Sequence, residues 1–549
     1  MTAPTPHSIS TSRATLIDRT RTSSRRRVGV LIGLYSAAIA VVASRLLTLS
    51  SGRTFFFDEW SFVVGRSDWS WETLFAGHNG HPSFFPAVIY LTLFQLFGLA
   101  NFSVFLTAGV VMHLTVCALA AVLVHRRLGA LPGLAGFFAF GLLGTGWQNS
   151  LWPFQVGFMG SVAGFLAALV LLDLHSKFKG STAAAMTSAG ASMCLVYSVM
   201  SSGVGLAAIA GISLWVFLNW NSLRSQWWVP LPAVITYGLW YTTYGGGQSA
   251  NFTPLAVPRY VAESAAFATG GLFGLDLFWG TMLTGIALAA LVSQLVHRKL
   301  LAAAIWVPAF GFLLTFWGLT AISRGAFGEP GASRYVYVGV IVGVVGVCYA
   351  FPVLTFSKSL FVSLAIASVV ATSSTLTAGA DGLRYEGEMM RTLLAWVDVH
   401  GDGMPADLVI DERHSPQLTV AGYRHATNTF KGTPASGIDL SEVSPPYSER
   451  LDLLVSRSWV IETPPVSYEC ETPSATGRVE LAPGTEITLT SGVDTSLDIR
   501  RFAPDTPSAA PIPLPAGSIQ VKVPSDPWPQ NYVVIVGNSD TVSICDSSL

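Results

Sequence analysis

The chain has 549 residues, of which 51% are hydrophobic and 11% charged, with a mean hydropathy of +0.51. Soluble domains carry about 25% charged residues, so a soluble enzyme, a disordered chain and a nucleic-acid-binding protein are excluded and a polytopic membrane protein is left. The net charge of −1 hides a split: residues 1–380 carry +11 (20 Lys and Arg, 9 Asp and Glu), and residues 381–549 carry −12 (11 and 23). The first part reads as a membrane body with sparse basic charge, and the second as an acidic soluble domain long enough for its own core.

The N-terminal segment 1–27 is polar and basic, with Arg13, Arg19, Arg21, Arg25, Arg26 and Arg27. The apolar run 28–50 that follows is too long for the core of a signal peptide and is expected to be the first spanning helix, its basic tail inside. Further runs at 103–124, 129–146, 156–174, 182–200, 203–219, 229–244, 277–296, 300–320, 335–354 and 359–378 bring the expectation to about eleven transmembrane helices. With helix one running outward, the cytoplasmic connections carry His125–Arg127, His175–Lys179, Arg224, His297–Lys299 and Lys358. The opposite connections carry Asp58, Glu59, Asp68, Glu72, Glu263, Asp276 and Glu329. Positive charge therefore falls inside at every turn. An odd helix count puts the acidic domain outside. The run 84–100 would break this pattern as a further span, so it is expected to lie in the outer membrane interface.

The domain 381–549 reads as β-rich or α+β. Short β-branched segments recur at 407–410, 451–462, 486–490, 518–523 and 531–536, separated by turn residues, with a Pro-rich linker at 502–515. Cys470 and Cys545 are its only cysteines, and a disulfide between them would suit an oxidising, external side. Cys117, Cys194 and Cys348 lie in apolar runs and are expected to be buried thiols.

Chemistry concentrates in the outer loop after helix one, within 51–100. Asp58 and Glu59 stand where the chain leaves the membrane, among Phe55, Phe56, Phe57 and Trp60. A carboxylate against an apolar wall has a raised pKa and can act as a general base. An interfacial aromatic anchor with solvated acids is the plainer alternative. His78 and His81 follow in GHNGHP, where Asn79-Gly80 and Pro82 indicate a turn. Their spacing leaves a divalent metal shared with Asp58 or Glu59, a polar contact to substrate, and a purely structural turn all open. No other cofactor is indicated.

The third outer connection reads WQNSLWPFQ (147–155). Trp147 and Trp152 could stack on a sugar while Asn149 and Gln155 hydrogen-bond it, although tryptophan is also the usual interfacial anchor. The last outer loop, 323–337, carries Arg324 and Arg334 on the acidic side of the membrane, against the general trend. Guanidinium forks match phosphate; an ion pair to Glu329 or to the acidic domain is the alternative. Arg53 and Arg259 are weaker candidates of the same kind.

Together these segments resemble the GT-C superfamily of membrane glycosyltransferases, which use lipid-phosphate-linked sugars and carry an acidic pair early in the first outer loop. More narrowly the chain is similar to a group of bacterial GT-C-like membrane proteins. Their pattern includes a DD/DE-W motif, H-N-E-H-R, W-E-N-L-L-W-G-F-Q and a late S-R-Y. Here FDEW (57–60), HNGHP (78–82), WQNSLWPFQ (147–155) and SRY (333–335) follow in the same order, over roughly 50–340. Gly80 and Pro82 replace the Glu and Arg of the histidine motif, and Gln148 replaces a Glu.

The resemblance implies a GT-C-like body and inverting transfer of a sugar from a polyprenyl-phosphate donor to an envelope glycan, lipid or protein on the outer face. Asp58 would be the base, and Glu59 or the histidines would orient the acceptor. His78, His81, Trp147, Asn149, Trp152, Gln155, Arg324, Arg334 and Tyr335 would contact substrate. The partners are then the lipid-linked donor, the acceptor and membrane lipids, with no nucleic acid. A transporter or flippase of envelope precursors and a non-catalytic assembly protein are the rival classes. Polar or broken helices at mid-membrane and internal repeats, which transporters often show, are not evident in the sequence.

The charge pattern makes a direct prediction. Reporter fusions after Arg127, Lys179 and Lys299 are expected to read cytoplasmic, and a fusion after Gly382 external. A cytoplasmic C-terminus would overturn the sidedness of every candidate residue.

Overall fold

The structure is a computed structural model that describes residues 9–175, 182–245, 255–296, 305–324, 329–351, 358–459, 477–506, 511–537 and 542–546. Contacts divide the chain into two units. One comprises residues 1–50, 75–86 and 106–380, and the other 51–74, 87–105 and 381–549.

The first unit is helical. Each of the eleven apolar runs forms a helix. Among the described residues eight helices are long and apolar enough to cross a membrane: Val28–Leu49, Ser103–Leu128, Pro153–His175, Thr182–Ser201, Leu277–Val296, Trp306–Arg324, Ser333–Ala350 and Lys358–His400. A ninth span results if Ala130–Gly141 and Gly144–Leu151, bent by 49°, count as one. The bend falls where Gly144 meets the Lys358–His400 helix. Its N–H donates to Thr372 Oγ1 at 3.0 Å, and a Cβ there would lie 1.7 Å from the Thr372 carbonyl oxygen. Two of the eleven, Gly205–Leu218 and Leu231–Tyr244, have 14 residues. At 1.5 Å per residue each is about 21 Å long, short of the roughly 30 Å of a bilayer core.

Small residues set the helix packing. In Val156–His175, Gly160, Ser161 and Gly164 form one stripe against Thr182–Ser201. A Cβ on Gly164 would stand 2.6 Å from the Cys194 carbonyl oxygen. Ser161 and Ser198 each donate to the other's carbonyl, at 2.7 and 2.8 Å. Such close approach substitutes for a hydrophobic drive that lipid does not supply. One helix is additional to the expected set: Ala256–Gly271 fits tightly on Leu277–Val296 through Gly280, whose Cβ would lie 2.2 Å from the Ala266 carbonyl oxygen. Arg259, Glu263 and Ser264 interrupt its apolar run, so composition alone gave no sign of it.

The second unit is α+β. Strands β1 (Val409–Asp411) and β2 (Ser415–Thr419) make a hairpin. The remaining strands are β3 (Arg478–Leu481), β4 (Glu486–Ser491), β5 (Thr495–Arg500), β6 (Ile512–Leu514), β7 (Gly517–Lys522), β8 (Tyr532–Val536) and β9 (Val542–Asp546). They form two antiparallel sheets ordered β3-β8-β5-β6 and β7-β4-β9. Period-two burial explains the pairing: Ile487 and Leu489 of β4 oppose Val521 and Ile519 of β7, all buried.

Three expectations need correction. Residues 451–457 are helical, not strand, in Pro445–Arg457. The helix opens on Ser444 with prolines at its first positions, and Ser448, Leu451, Leu454 and Val455 recur at helical spacing on its buried face. The segment 502–515 is no plain linker, since it ends in the paired strand β6. The Lys358–His400 helix also runs well past 378. Cys470 lies outside the described residues, and of Cys545 only the backbone is described, paired with Thr488 in β9. Cys117, Cys194 and Cys348 are free thiols; Cys117 and Cys348 are buried and Cys194 is half-buried.

Arg501 joins the end of the long helix to the sheets. Its side chain is wholly buried, as is that of Asp526, with which it forms a two-pronged ion pair; one prong measures 2.7 Å. The other donors reach the carbonyls of Trp528 and Gln530 at 2.8 and 3.1 Å and the Tyr532 hydroxyl at 2.8 Å. His400 stands 3.2 Å from Asp526, and Trp396, Phe502, Trp528 and Tyr532 surround the guanidinium. Asp452 receives the backbone N–H groups of Arg501, Phe502 and Ala503, which fixes the turn after β5.

Burial would raise the Asp526 carboxyl, but hydrogen bonds from His400 and Arg501 and the charge of Arg501 outweigh it and hold it well below the carboxylate range. Its folded pKa thus lies below the unfolded value of about 3.9. The stability it contributes is full above that value and is lost as pH falls below it. Unfolding of the full chain should show Asp526→Asn less stable by about 3–5 kcal/mol at neutral pH, the typical cost of breaking a buried pair. The loss should shrink below pH 4, and an unchanged melting temperature at pH 7 would contradict it.

Candidate functional site

The acidic pair divides its labour. Phe55 is fully buried in an aromatic cluster with Trp60, Phe94, Phe102 and Phe105, at ring separations of 4.9–5.8 Å. That cluster pins the chain just before the pair and fixes the Glu59–Gly65 helix just after it. Trp60, fully buried, also meets Tyr423. Phe55 and Trp60 are therefore core residues, whereas Phe57 is 41% exposed. Glu59 has no exposed surface. One carboxylate oxygen accepts the Phe56 N–H at 2.9 Å and the other the Tyr90 hydroxyl at 2.6 Å. Asp58 is half-buried at the N-cap position, and its side chain makes no capping bond to the helix. Tyr90 belongs to Phe84–Phe97, a 14-residue helix in the run expected at the interface. Its residues Ala87, Tyr90, Leu91 and Phe94 are buried.

Arg53, offered by the sequence as a phosphate partner, is buried. Burial, and next the charge of Arg384, pull its guanidinium down to about 9, with Glu59 and Asp381 acting the other way. Arg259 forms an exposed ion pair with Glu263 one helical turn away, at 2.7 Å.

The remaining candidates belong to the helical unit. The HNGH sequence is a two-residue hairpin. Asn79 and Gly80 have φ of +51° and +77°, as a primed turn requires, and His78 and His81 exchange backbone hydrogen bonds of 2.9 and 3.0 Å. The spacing thus brings the two imidazoles to directly opposed positions. Asn79 Nδ2 meets His78 Nε2 at 3.0 Å, and the His78 ring packs edge-on to Phe154 at 5.1 Å. His81 fits where Gly203 leaves room: a Cβ there would lie 2.5 Å from Nδ1. That Nδ1 is buried with no hydrogen-bond partner among the described residues. Burial, then the positive charges of Arg324 and His78, lower the pKa of His81. His81 is accordingly neutral at pH 7. The hairpin, Phe154 and Arg324 are thereby neighbours.

A second grouping joins WQNSLWPFQ to SRY. The Gln148 N–H donates to Ser333 Oγ at 3.1 Å. Gln148 Oε1 accepts the Arg334 N–H at 3.2 Å and its Nη1 at 3.5 Å. The Arg334 guanidinium lies 4.9 Å over the Tyr335 ring, and Tyr335 is buried between Phe158 and Phe316. No ion pair joins Arg324 or Arg334 to Glu329 among the described residues. Asn149 and Gln155 are 1% and 5% exposed. Both polar atoms of the Asn149 amide, and Gln155 Oε1, have no hydrogen-bond partner among the described residues. Buried amides are ordinarily satisfied, so these suit a polar ligand. Trp147 is half-buried against Gly379, and Trp152 is buried beside Phe154.

Two residues here escaped the sequence reading. Gln148 was visible only as a departure from the motif, yet it holds Arg334. Tyr260 is 6% exposed and its hydroxyl has no partner among the described residues. Burial chiefly, with Tyr335 next, raises its pKa, and Arg334 and Glu329 are near enough to act on it. It lies on the helix that composition did not reveal. For a metal, no three His, Cys, Asp or Glu side chains gather suitably among the described residues.

No protein-family model matches the chain, and no curated protein matches it. Among solved structures, the crystal structure of ArnT from Cupriavidus metallidurans in the apo state superposes with a TM-score of 0.47 at 12% identity, over 70% of this chain and 82% of that one. ArnT from the same organism bound to undecaprenyl phosphate gives 0.45 at 13% identity, over 69% and 81%. Likeness at this level transfers no residue from one chain to the other, and the functional reading rests on this chain's own side chains.

Proposed function

We propose that this membrane protein is a glycosyltransferase. It moves a sugar from a polyprenyl-phosphate donor to a cell-envelope acceptor on the outer face, with the N-terminus cytoplasmic and residues 381–549 outside. The observation that carries the reading is the joining of motifs far apart in sequence. Gln148 of WQNSLWPFQ hydrogen-bonds Arg334 of SRY, and Phe154 of the same segment packs on His78 of HNGHP. Segments matched by resemblance alone have no reason to meet; segments of one site do.

The chemistry follows from residue type. Glu59 is fully buried against Phe56 and Tyr90, and Asp58, half-buried at the start of the helix, is read as the base. Asp58 takes the proton of the acceptor hydroxyl as that oxygen bonds the sugar C1. The bond from C1 to the donor phosphate breaks, with inversion, and the departing polyprenyl phosphate gains negative charge. Arg334 and Arg324 are the partners for that phosphate, since developing charge is where fixed cations act most strongly. Asn149, Gln155 and the two indoles would hold the sugar. His81, neutral and buried, suits hydrogen bonding better than charge neutralisation.

Transfer from a panel of radiolabelled polyprenyl-phosphate sugars tests the reading. Asp58→Asn keeps the size and removes the base, so transfer should fall roughly 10²–10⁴-fold with donor binding nearly unchanged. Arg334→Ala should differ, raising the donor KM by roughly 10–100-fold, as expected for a lost charge-assisted hydrogen bond. Arg334→Lys should recover only part, because lysine lacks the planar fork. If both Asp58→Asn and Glu59→Gln remain fully active in the purified system, the catalytic reading of this loop fails.

A further inference from the structure

Among the described residues only three other than glycine have positive φ: Phe57 at +51°, Asn79 and Lys431. Asn79 and Lys431 each precede a glycine that also has positive φ, whereas Phe57 does not. Phe57 is bulky, and it stands immediately before Asp58. A large L-residue in left-handed backbone is strained, and the strain persists only where the surroundings over-determine it.

Those surroundings can be named. The Phe57 carbonyl accepts the side-chain amide of Gln417, 360 residues later in the chain, at 2.8 Å. It also receives the Trp60 N–H at 3.2 Å. Gln417 lies in the middle of β2, and its strand is held from both sides. Thr419 caps the next helix by accepting the Gly422 N–H at 3.1 Å. His414, just before β2, is 3.1 Å from Glu386 and 2.9 Å from Arg450, and its ring lies 6.0 Å from that of Phe56. The strand therefore presents Gln417 from a fixed base.

We propose that Gln417 is a positioning residue for Asp58. Its amide grips the Phe57 carbonyl and holds the strained peptide in the orientation that sets the direction of the Asp58 side chain. Without the grip, Phe57 relaxes to negative φ, the following peptide turns, and the carboxylate is displaced. The inference rests on the reading of Asp58 as the base. It gives the segment after residue 381 a part in the reaction itself, instead of a separate binding task.

The test uses the full chain with Gln417→Leu, which keeps the bulk and removes the donor. The amides of Glu59, Trp60 and Ser61 bond to the carbonyls of Phe56, Phe57 and Asp58, and their hydrogen exchange should speed up about tenfold, which is about 1.4 kcal/mol. Exchange in β3–β9 and the melting temperature should not move. With the polyprenyl-phosphate sugar that the wild type uses, kcat should fall about 10–100-fold while the donor KM holds. Asparagine tolerates positive φ, so adding Phe57→Asn should return both exchange and kcat to within about threefold of Phe57→Asn alone. Unchanged exchange at 59–61 in Gln417→Leu overturns the proposal. So does faster exchange with undiminished kcat, or failure of the asparagine to rescue. If the wild type uses no donor in the panel, the glycosyltransferase reading falls separately, and the exchange measurement still decides whether Gln417 holds the loop.

Discussion

A carboxylate removed from water has to be satisfied by its own chain, and Glu59 meets that demand with two bonds. The Phe56 N–H turns the backbone back on itself, and the Tyr90 hydroxyl ties the turn to the Phe84–Phe97 helix. An uncompensated charge at this depth would be too costly to keep. The path of the loop is therefore set by where these two donors stand. The aromatic cluster around Phe55 supplies the wall against which the turn is pressed. Asp58, between the strained Phe57 and the anchored Glu59, has its backbone fixed from both sides.

The helical unit obeys a related constraint. Some polar groups deep inside it find partners in neighbouring helices, because a bilayer interior offers none. His113, wholly buried, places Nδ1 2.9 Å from the Tyr337 hydroxyl and Nε2 3.1 Å from the Gly141 carbonyl. One imidazole thus ties three helices together, beneath the SRY and WQNSLWPFQ segments. The amides of Asn149 and Gln155 are among the buried groups that have no such partner among the described residues. They lie in the one segment that touches two other motifs.

Much of this was legible in the sequence, and the failures have physical causes. Apolar length revealed the helices, since only an uninterrupted run can face lipid. Ala256–Gly271 was missed because Arg259, Glu263 and Ser264 interrupt its apolar run. Residues 451–457 misled because Leu, Val and Ser suit either period, and the prolines before them carried the deciding signal. The Asn79-Gly80 pair correctly marked a turn, but its effect on the histidines needed the hairpin. The roles of Gln148 and Gln417 could not be read at all. Their partners lie 186 and 360 residues away, and a neutral amide announces nothing about its partner.

That last separation has a consequence for how the protein is made. The Phe57 loop leaves the ribosome early, and Gln417 follows 360 residues later. At about 5–20 residues per second, the loop waits roughly 20–70 s for the group that holds it. During that interval the membrane helices between them are synthesised. A chain at that stage already carries all four motif segments, which end at residue 335. Any chain that stops short of residue 417 lacks the amide that the Phe57 carbonyl accepts.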